Sequence, residues 1–377
     1  MLKWVMSIQV VKQILKNTCY YKFVSQLGKP CYLGLGGTPV NRPLFQDRIN
    51  SVVYSMRRKF TRKVNKMGTL ELFTNANNPL KTQYSQLVTR FDPEQGILWT
   101  EMNPEGIPCC TKELLGDLYH HHKTIEKCGG KIQINDESHP VNYSVVSSIH
   151  PGAFNLGGHL GLFSRLIKEK NRQALLDYSV VCLDVMYSRM THFGLPLITI
   201  SLVQGDALGG GLEAALTSDV IIAERSAKMG FPEMLFNLIP GHGAFSLVAR
   251  KIGVTQAEKM ILSAKLYSAE ELHELGLVDV LVEDGMGEEA VYEYIEKQAR
   301  RSNGYMALKR ARQRFNPVSY QEMMDITNIW VEAALRLTEK DLKVMDRFVR
   351  SQQKLFGKNE LAEHAGEVGQ TPKLATA

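Results

Sequence analysis

No CxxC pair, no membrane-length apolar run and no phosphate-binding glycine signature occur in this sequence, and each absence removes a class of protein. The six cysteines, Cys19, Cys31, Cys109, Cys110, Cys128 and Cys182, have spacings that suit neither a zinc ribbon nor a disulfide framework. In a chain of 377 residues, long enough to bury a large core, they read as the reduced thiols of a cytoplasmic protein. A spanning helix needs about 18 apolar residues in a row, and no such run is present. Both G-x-x-x-x-G-K-S/T and G-x-G-x-x-G are missing, which argues against a nucleotide or dinucleotide site.

Acids are scarce at one end only. Residues 1–67 carry 13 Lys and Arg against a single acid, Asp47, while the remaining 32 bases and 38 acids leave the rest of the chain at −6. The sequence pI of about 8.8 therefore belongs to the leader, and the body gives no electrostatic case for binding nucleic acid. Trp4, Val5, Ile8, Val11, Ile14 and Leu15 alternate with lysines at helical spacing, a pattern that suits an anionic membrane surface or a transit peptide. The preferred reading of residues 1–67 is a disordered leader or a mis-set start, with translation beginning near Met67.

From Gln86 the chain has the grammar of alternating strands and helices. Gln86–Phe91 and Ile97–Met102 form a hairpin around Asp92-Pro93-Glu94-Gln95-Gly96. The spacing then predicts a helix over 112–127, a strand over 143–149, a glycine turn at Gly157-Gly158, helices to Lys168 and over 171–193, and a buried strand over 197–203. His120, His121 and His122 fall on different sides of the first helix, so they cannot jointly hold a metal. Val220–Ala223 repeats the strand after a second glycine turn, which argues for βα units. Helices are expected over 241–252 and 256–262, with capping boxes starting at Ser268 and Ser319. The second opens a helical hairpin whose stripe of Met323, Ile326, Trp330, Ala334 and Leu337 must cover its own core or a neighbouring subunit.

Chemistry concentrates between Gln204 and Pro240. The run Gly209-Gly210-Gly211, between a strand and a helix, exposes backbone N–H groups at the positive end of a helix dipole, where a phosphate or an acyl oxyanion can sit. Glu213 lies in the first turn of that helix, and Glu233 follows the rigid turn Gly230-Phe231-Pro232. Parallel strands bring such turns to one end of a sheet. Two carboxylates beside an oxyanion site suit proton removal next to a thioester carbonyl and proton transfer at the next carbon. Taken singly, each glutamate is equally well a dipole-favoured charge at a helix start.

The segments A-F-N-L-G-G-H-L, V-Q-G-D-A-L-G-G-G-L-E-A-A, S-D-V-I-I-A-E and M-G-F-P-E-M-L-F-N-L-I-P-G-H-G-A resemble the crotonase (enoyl-CoA hydratase/isomerase) superfamily. Q-G-D-A-L-G-G-G, F-P-E-M-L-F-N-L and N-P-V-S-Y-Q-E-M-M-D-I-T are similar in particular to bacterial diffusible signal factor synthases. The resemblance implies an α/β fold, a crotonase-like ββα spiral core with a C-terminal helical region. It implies oxyanion donors at Gly158 and Gly210, catalytic acids at Glu213 and Glu233, and no metal or cofactor. It further implies dehydration of a 3-hydroxyacyl carrier-protein (ACP) or acyl-CoA substrate to a cis-2-enoyl thioester, then hydrolysis to a free cis-2-unsaturated fatty acid that serves as a quorum-sensing signal. Homotrimers, and a sensor-kinase receiver domain as partner, also follow from it.

His159 stands where the family commonly has an acid, and it is read as a structural residue of the turn. Phe154, Leu156, Met234, Leu235, Phe236 and Trp330 are candidates for an acyl tunnel, though plain core is the preferred reading of each. Arg165, Lys168, Lys170 and Arg172 suit either a phosphopantetheine arm with its acidic carrier or a solvated helix face. The expected organisation is a leader over 1–67, a spiral core over 68–290, a helical lid or trimerisation region over 291–356 and a flexible tail over 357–377. An ordinary enoyl-CoA hydratase or acyl-CoA hydrolase is the enzymatic alternative. A non-catalytic partner of a sensor kinase is the other.

Overall fold

A computed structural model describes residues 78–80 and 82–356. The leader over 1–67 and the tail over 357–377 lie outside the described residues. The chain opens with an antiparallel hairpin, β1 (Leu87–Asp92) and β2 (Ile97–Met102), whose register pairs Leu87 with Met102 and closes on the expected turn. Helix α1 (Lys112–Lys127) follows, with the Thr111 hydroxyl accepting from the Leu114 amide as its N-cap. A small hairpin that the sequence pattern did not announce, β3 (Lys131–Ile134) and β4 (Glu137–Pro140), stands apart as a two-stranded sheet.

Next come β5 (Tyr143–Ser148), β6 (Ala153–Asn155), α2 (Leu160–Lys168), α3 (Arg172–Met190), β7 (Ile198–Val203), β8 (Asp206–Leu208) and α4 (Gly210–Leu216). They are followed by β9 (Val220–Glu224), β10 (Lys228–Gly230), α5 (Ala244–Ile252), α6 (Val254–Ser263), β11 (Leu266–Ser268), α7 (Ala269–Glu274) and β12 (Val280–Val282). The last four helices are α8 (Gly287–Ala299), α9 (Ser302–Phe315), α10 (Tyr320–Leu335) and α11 (Glu339–Phe356).

The main sheet has the order β1-β2-β5-β7-β9-β12, parallel from β2 onward. Strands β2, β7 and β9 are buried along their whole length, as expected of parallel strands covered on both faces. A second, four-stranded sheet has the order β11-β10-β8-β6, and it carries the turns of interest. No helix among the described residues is long and apolar enough to cross a membrane.

Of the two covers left open for the C-terminal hairpin, the structure uses its own core. Trp330, Val331, Ala334, Leu337, Leu342 and Met345 are buried in one cluster with Phe163, Leu166 and Ile167 of α2. Three of the four cations assigned to a phosphopantetheine arm or a solvated face lie exposed and also contact this hairpin. Lys168 pairs with Asp346 at 3.1 Å, Arg172 with Glu332 at 2.7 Å, and Lys170 donates to the Leu335 carbonyl. Arg165 remains exposed.

Two helix starts depart from expectation. The helix predicted from Gly241 begins at Ala244, after the left-handed backbone of Gly243, and the amides of His242 and Ala244 are taken by a carboxylate described below. At Ser319 only half of the capping box forms: its hydroxyl accepts from the Glu322 amide, but the Glu322 carboxylate goes to Arg250 as a two-point pair at 2.8 Å for each bond. At Ser268 both halves are present.

Candidate active site

Three very short strands aim three turns at one place. Strands β6, β8 and β10 run parallel, with Ala153 opposite Asp206, Asn155 opposite Ala207, and Met229 and Gly230 opposite Ala207 and Leu208. Their C-terminal ends therefore lie side by side, as the expectation for parallel neighbours required. The turn after β6 holds Gly158, the turn after β8 holds Gly210 and Glu213, and the turn after β10 holds Glu233.

The two glycine turns are in contact. A Cβ on Gly157, whose φ is +86°, would stand 2.8 Å from the Gly210 amide nitrogen, and one on Gly210 would stand 3.4 Å from the Gly158 nitrogen. Only glycine permits that approach at Gly157. Gly210 is the first residue of α4, so its N–H has no intrahelical acceptor. Among the described residues neither the Gly158 nor the Gly210 amide donates to a backbone carbonyl outside helices and strands. Both glycines keep some exposed surface while Gly157, Gly209 and Gly211 are buried. Two free, adjacent amides at a helix N-terminus are the arrangement an oxyanion needs.

The first of these turns is braced by residues the sequence reading passed over. Asn155 Oδ1 accepts from the Gly157 amide at 2.8 Å and from the Cys110 thiol at 3.4 Å. The backbone of 108–110 runs alongside: Leu156 N donates to the Pro108 carbonyl and Cys110 N to the Gly157 carbonyl, both at 2.8 Å. An Asn two residues before a glycine is an Asx-turn signal, so Asn155 was findable. The 108–110 contact is purely tertiary and was not. His159 is an N-cap, its Nδ1 accepting from the Leu162 amide at 3.0 Å.

Glu213 is buried, with 1% of its surface exposed. Its Oε1 accepts from the backbone amides of His242 and Ala244 at 2.8 and 2.9 Å. Burial nevertheless outweighs these donors and pushes its carboxyl up to about 7. Glu233 starts a 3-10 turn, Pro232–Phe236, with Pro232 at its head and the Asn237 backbone left-handed at its end. Its Oε2 is sealed from solvent without a hydrogen-bond partner. Burial, and then the charge of Glu213, push the Glu233 carboxyl up to about 8. The two acids are thus electrostatically coupled, and the pair holds a proton more tightly than isolated glutamates do. A pair of carboxyls that shares a proton in this way has the chemistry to take a proton at one group and give one at the other.

The six tunnel candidates do not form one wall. Phe154 and Met234 pack in the cluster around α4, whereas Phe236 and Trp330 belong to the cluster under the C-terminal hairpin. Leu156 is buried, and Leu235 is 54% exposed, turned away from the core. Trp330 does reach the site: its ring meets Phe163 edge-on at 5.1 Å and lies 5.4 Å from the His242 ring. Phe163 in turn fills the space beside the Gly158 Cα. A cavity of about 500 Å³ opens elsewhere, at the far end of α4, between Leu216, Leu247, Arg250 and Phe315, and it includes neither glutamate.

The turns bring two amides without backbone acceptors and two glutamates to one end of the small sheet. The family model for enoyl-CoA hydratase/isomerase matches residues 122–353, and the chain belongs to that family. Over 98 residues it is 40% identical to mitochondrial methylglutaconyl-CoA hydratase of Mus musculus, covering 26% of this chain and 31% of that protein. Over 128 residues it is 34% identical to 2,3-dehydroadipyl-CoA hydratase of Escherichia coli (strain K12), covering 34% of this chain and 49% of that protein. The chain thus matches less than half the length of either relative. Among solved structures it is similar to an enoyl-CoA hydratase from Bacillus halodurans, with TM-score 0.58 and 22% identity over 70% of this chain and all of that one. That likeness is one of fold.

Proposed function

We propose that the chain is an enzyme that moves protons at C2 and C3 of an acyl thioester, with Glu213 as base and Glu233 as acid and with the Gly158 and Gly210 amides holding the thioester oxygen. The observation that carries this reading is the pair of carboxyls, Glu213 buried and Glu233 with its Oε2 sealed from solvent, both raised in proton affinity, beside two amides without backbone acceptors. In the dehydration direction Glu213 takes a C2 proton, the negative charge that develops on the thioester oxygen rests on the two amides, and Glu233 protonates the C3 hydroxyl as it leaves as water. Each positioned transfer is worth about 10² to 10⁴ in rate.

The finer reading is a synthase of a cis-2-unsaturated fatty acid signal, acting on a 3-hydroxyacyl-ACP and then hydrolysing the enoyl thioester. It rests on the motifs Q-G-D-A-L-G-G-G, F-P-E-M-L-F-N-L and N-P-V-S-Y-Q-E-M-M-D-I-T. An ordinary enoyl-CoA hydratase is favoured by a different observation, the identity shared with two CoA-thioester hydratases. The full chain incubated separately with 3-hydroxyacyl carrier protein and with crotonyl-CoA distinguishes them. Free cis-2 acid detected by mass spectrometry supports the synthase, and rapid hydration of crotonyl-CoA without free acid rules it out.

A further inference from the structure

One titratable side chain in the site has no part in the reaction as set out above. His242 lies in the segment 241–243 that replaces the expected first turn of α5. Its backbone amide and that of Ala244 occupy Oε1 of Glu213, so Oε2 is the oxygen left without a hydrogen bond among the described residues. The imidazole of the same residue folds back over that carboxylate, with Nδ1 3.8 Å from Oε2.

The ring itself is 7% exposed at the level of the residue, lies against Trp330, and has its Nε2 sealed from solvent without a partner. Burial lowers its proton affinity to a pKa of about 4, so the ring is neutral near pH 7 and carries one N–H. Placing that hydrogen on Nε2 would bury a donor with nothing to accept it, at a cost of about 1–3 kcal/mol. Placing it on Nδ1 directs it toward a carboxylate oxygen, and this tautomer is therefore the favoured one.

We propose that His242 is a positioning residue for Glu213: its Nδ1–H closes onto Oε2 when substrate fills the site and fixes the orientation of the oxygen that receives the proton. The inference rests on Glu213 being the proton-transfer residue of the proposed reaction. The 3.8 Å separation is too long for a hydrogen bond in the empty site. Separations of this kind commonly tighten in the substrate complex, and here a shift of less than about 1 Å suffices. The other titratable groups acting on this carboxylate are Glu233 and the thiols of Cys110 and Cys182. Burial holds both thiols protonated, so His242 and Glu233 are the two groups whose protons bear on Glu213.

The test separates a donor from a space-filling ring. His242→Leu retains apolar bulk without a donor, His242→Asn places an amide N–H near the Nδ1 position, and His242→Gln places it near Nε2. Each full-length variant, with Glu213→Ala alongside, is assayed for crotonyl-CoA hydration and for turnover of 3-hydroxyacyl carrier protein across pH. For His242→Leu the expected result is a fall of about 10- to 100-fold in kcat with KM nearly unchanged, and a shift of the acidic limb to higher pH. His242→Asn restores most of kcat, and His242→Gln does not. A folded His242→Leu protein with wild-type kcat and pH profile overturns the proposal. Equal activity of the Asn and Gln variants also overturns it, and that comparison stands even where the Leu variant fails to fold. Wild-type activity in Glu213→Ala refutes the role of Glu213 itself, independently of His242.

Discussion

The carboxylate of Glu233 lies against the Cα of Gly209, in the volume where any larger residue would place its Cβ. The two residues are also joined through the backbone, because the Gly209 amide donates to the Gly230 carbonyl at the end of the strand that leads to Glu233. A glycine in the turn after one strand therefore seats the acid delivered by the next.

Replacing Gly209 by alanine is expected to displace the acid. The backbone at Gly209 has φ +53° and ψ −122°, a region that costs other residues about 1–3 kcal/mol. Steady-state kinetics of Gly209→Ala should show turnover reduced by at least about 100-fold, and a melting curve should show lowered stability. A variant that turns over like wild type would mean that Glu233 does not act from this position.

Turnover itself should require both acids. Glu213→Gln and Glu233→Gln are each expected to lower it by about 10² to 10⁴, and the double variant should fall short of the product of the two because the pair works as a unit. Since Glu213 must be ionised and Glu233 protonated, kcat/KM should rise with pH through about 7 and decline through about 8. The pH profile of Glu233→Gln should lack the second limb.

Stability should carry the opposite signature. Glu233 has a higher proton affinity in the folded protein, with a pKa of about 8, than the 4.5 of an ordinary glutamate. Between those values the folded state binds more protons than the unfolded one, so this group's contribution is fully present below about pH 4.5 and is lost as pH rises through about 8. Removing the charge by Glu233→Gln should therefore stabilise the protein more at pH 8 than at pH 5. A tenfold change in proton affinity is worth about 1.4 kcal/mol, and the gain at pH 8 is expected to exceed that at pH 5 by a few kcal/mol. Thermal melts of both proteins at the two pH values check the sign.

Trp330 joins the C-terminal hairpin to the site, and its loss should register in both. The ring is 2% exposed and touches Phe163 and His242, and Thr327, one helical turn earlier, donates to the Gly241 carbonyl at 3.0 Å. Trp330→Ala is expected to cost about 3–5 kcal/mol in urea unfolding and to lower turnover as well. Unchanged activity in the folded variant would separate the hairpin from the chemistry.

The parts of this architecture that repeat over many residues were legible in the chain. Helix α1, strands β2, β7 and β9, and the Ser268 capping box stand where periodicity and cap chemistry put them. The sheet that carries the turns was hidden, because β6, β8 and β10 have three residues each, too few for an alternation to show. Both glutamates were visible beside their glycine and proline turns, while the contact between the two turns depends on the pairing of those short strands. Residues such as Cys110 and Phe163 matter through contacts with a glycine turn that nothing in the amino-acid order marks, whereas Asn155 announces its own Asx turn. Glu322 shows local grammar losing to a distant partner, as a bidentate arginine outcompetes a backbone amide.

The inward folding of α10 and α11 has a consequence for biosynthesis. The strands and turns bearing both glutamates emerge from the ribosome well before residues 320–356, which supply Trp330 and the cover over α2. Until those last helices dock, α2 and the segment 241–243 lack the partner that covers them. A nascent chain that already carries Glu213 and Glu233 still lacks α10 and α11, and with them the buried contacts of Trp330.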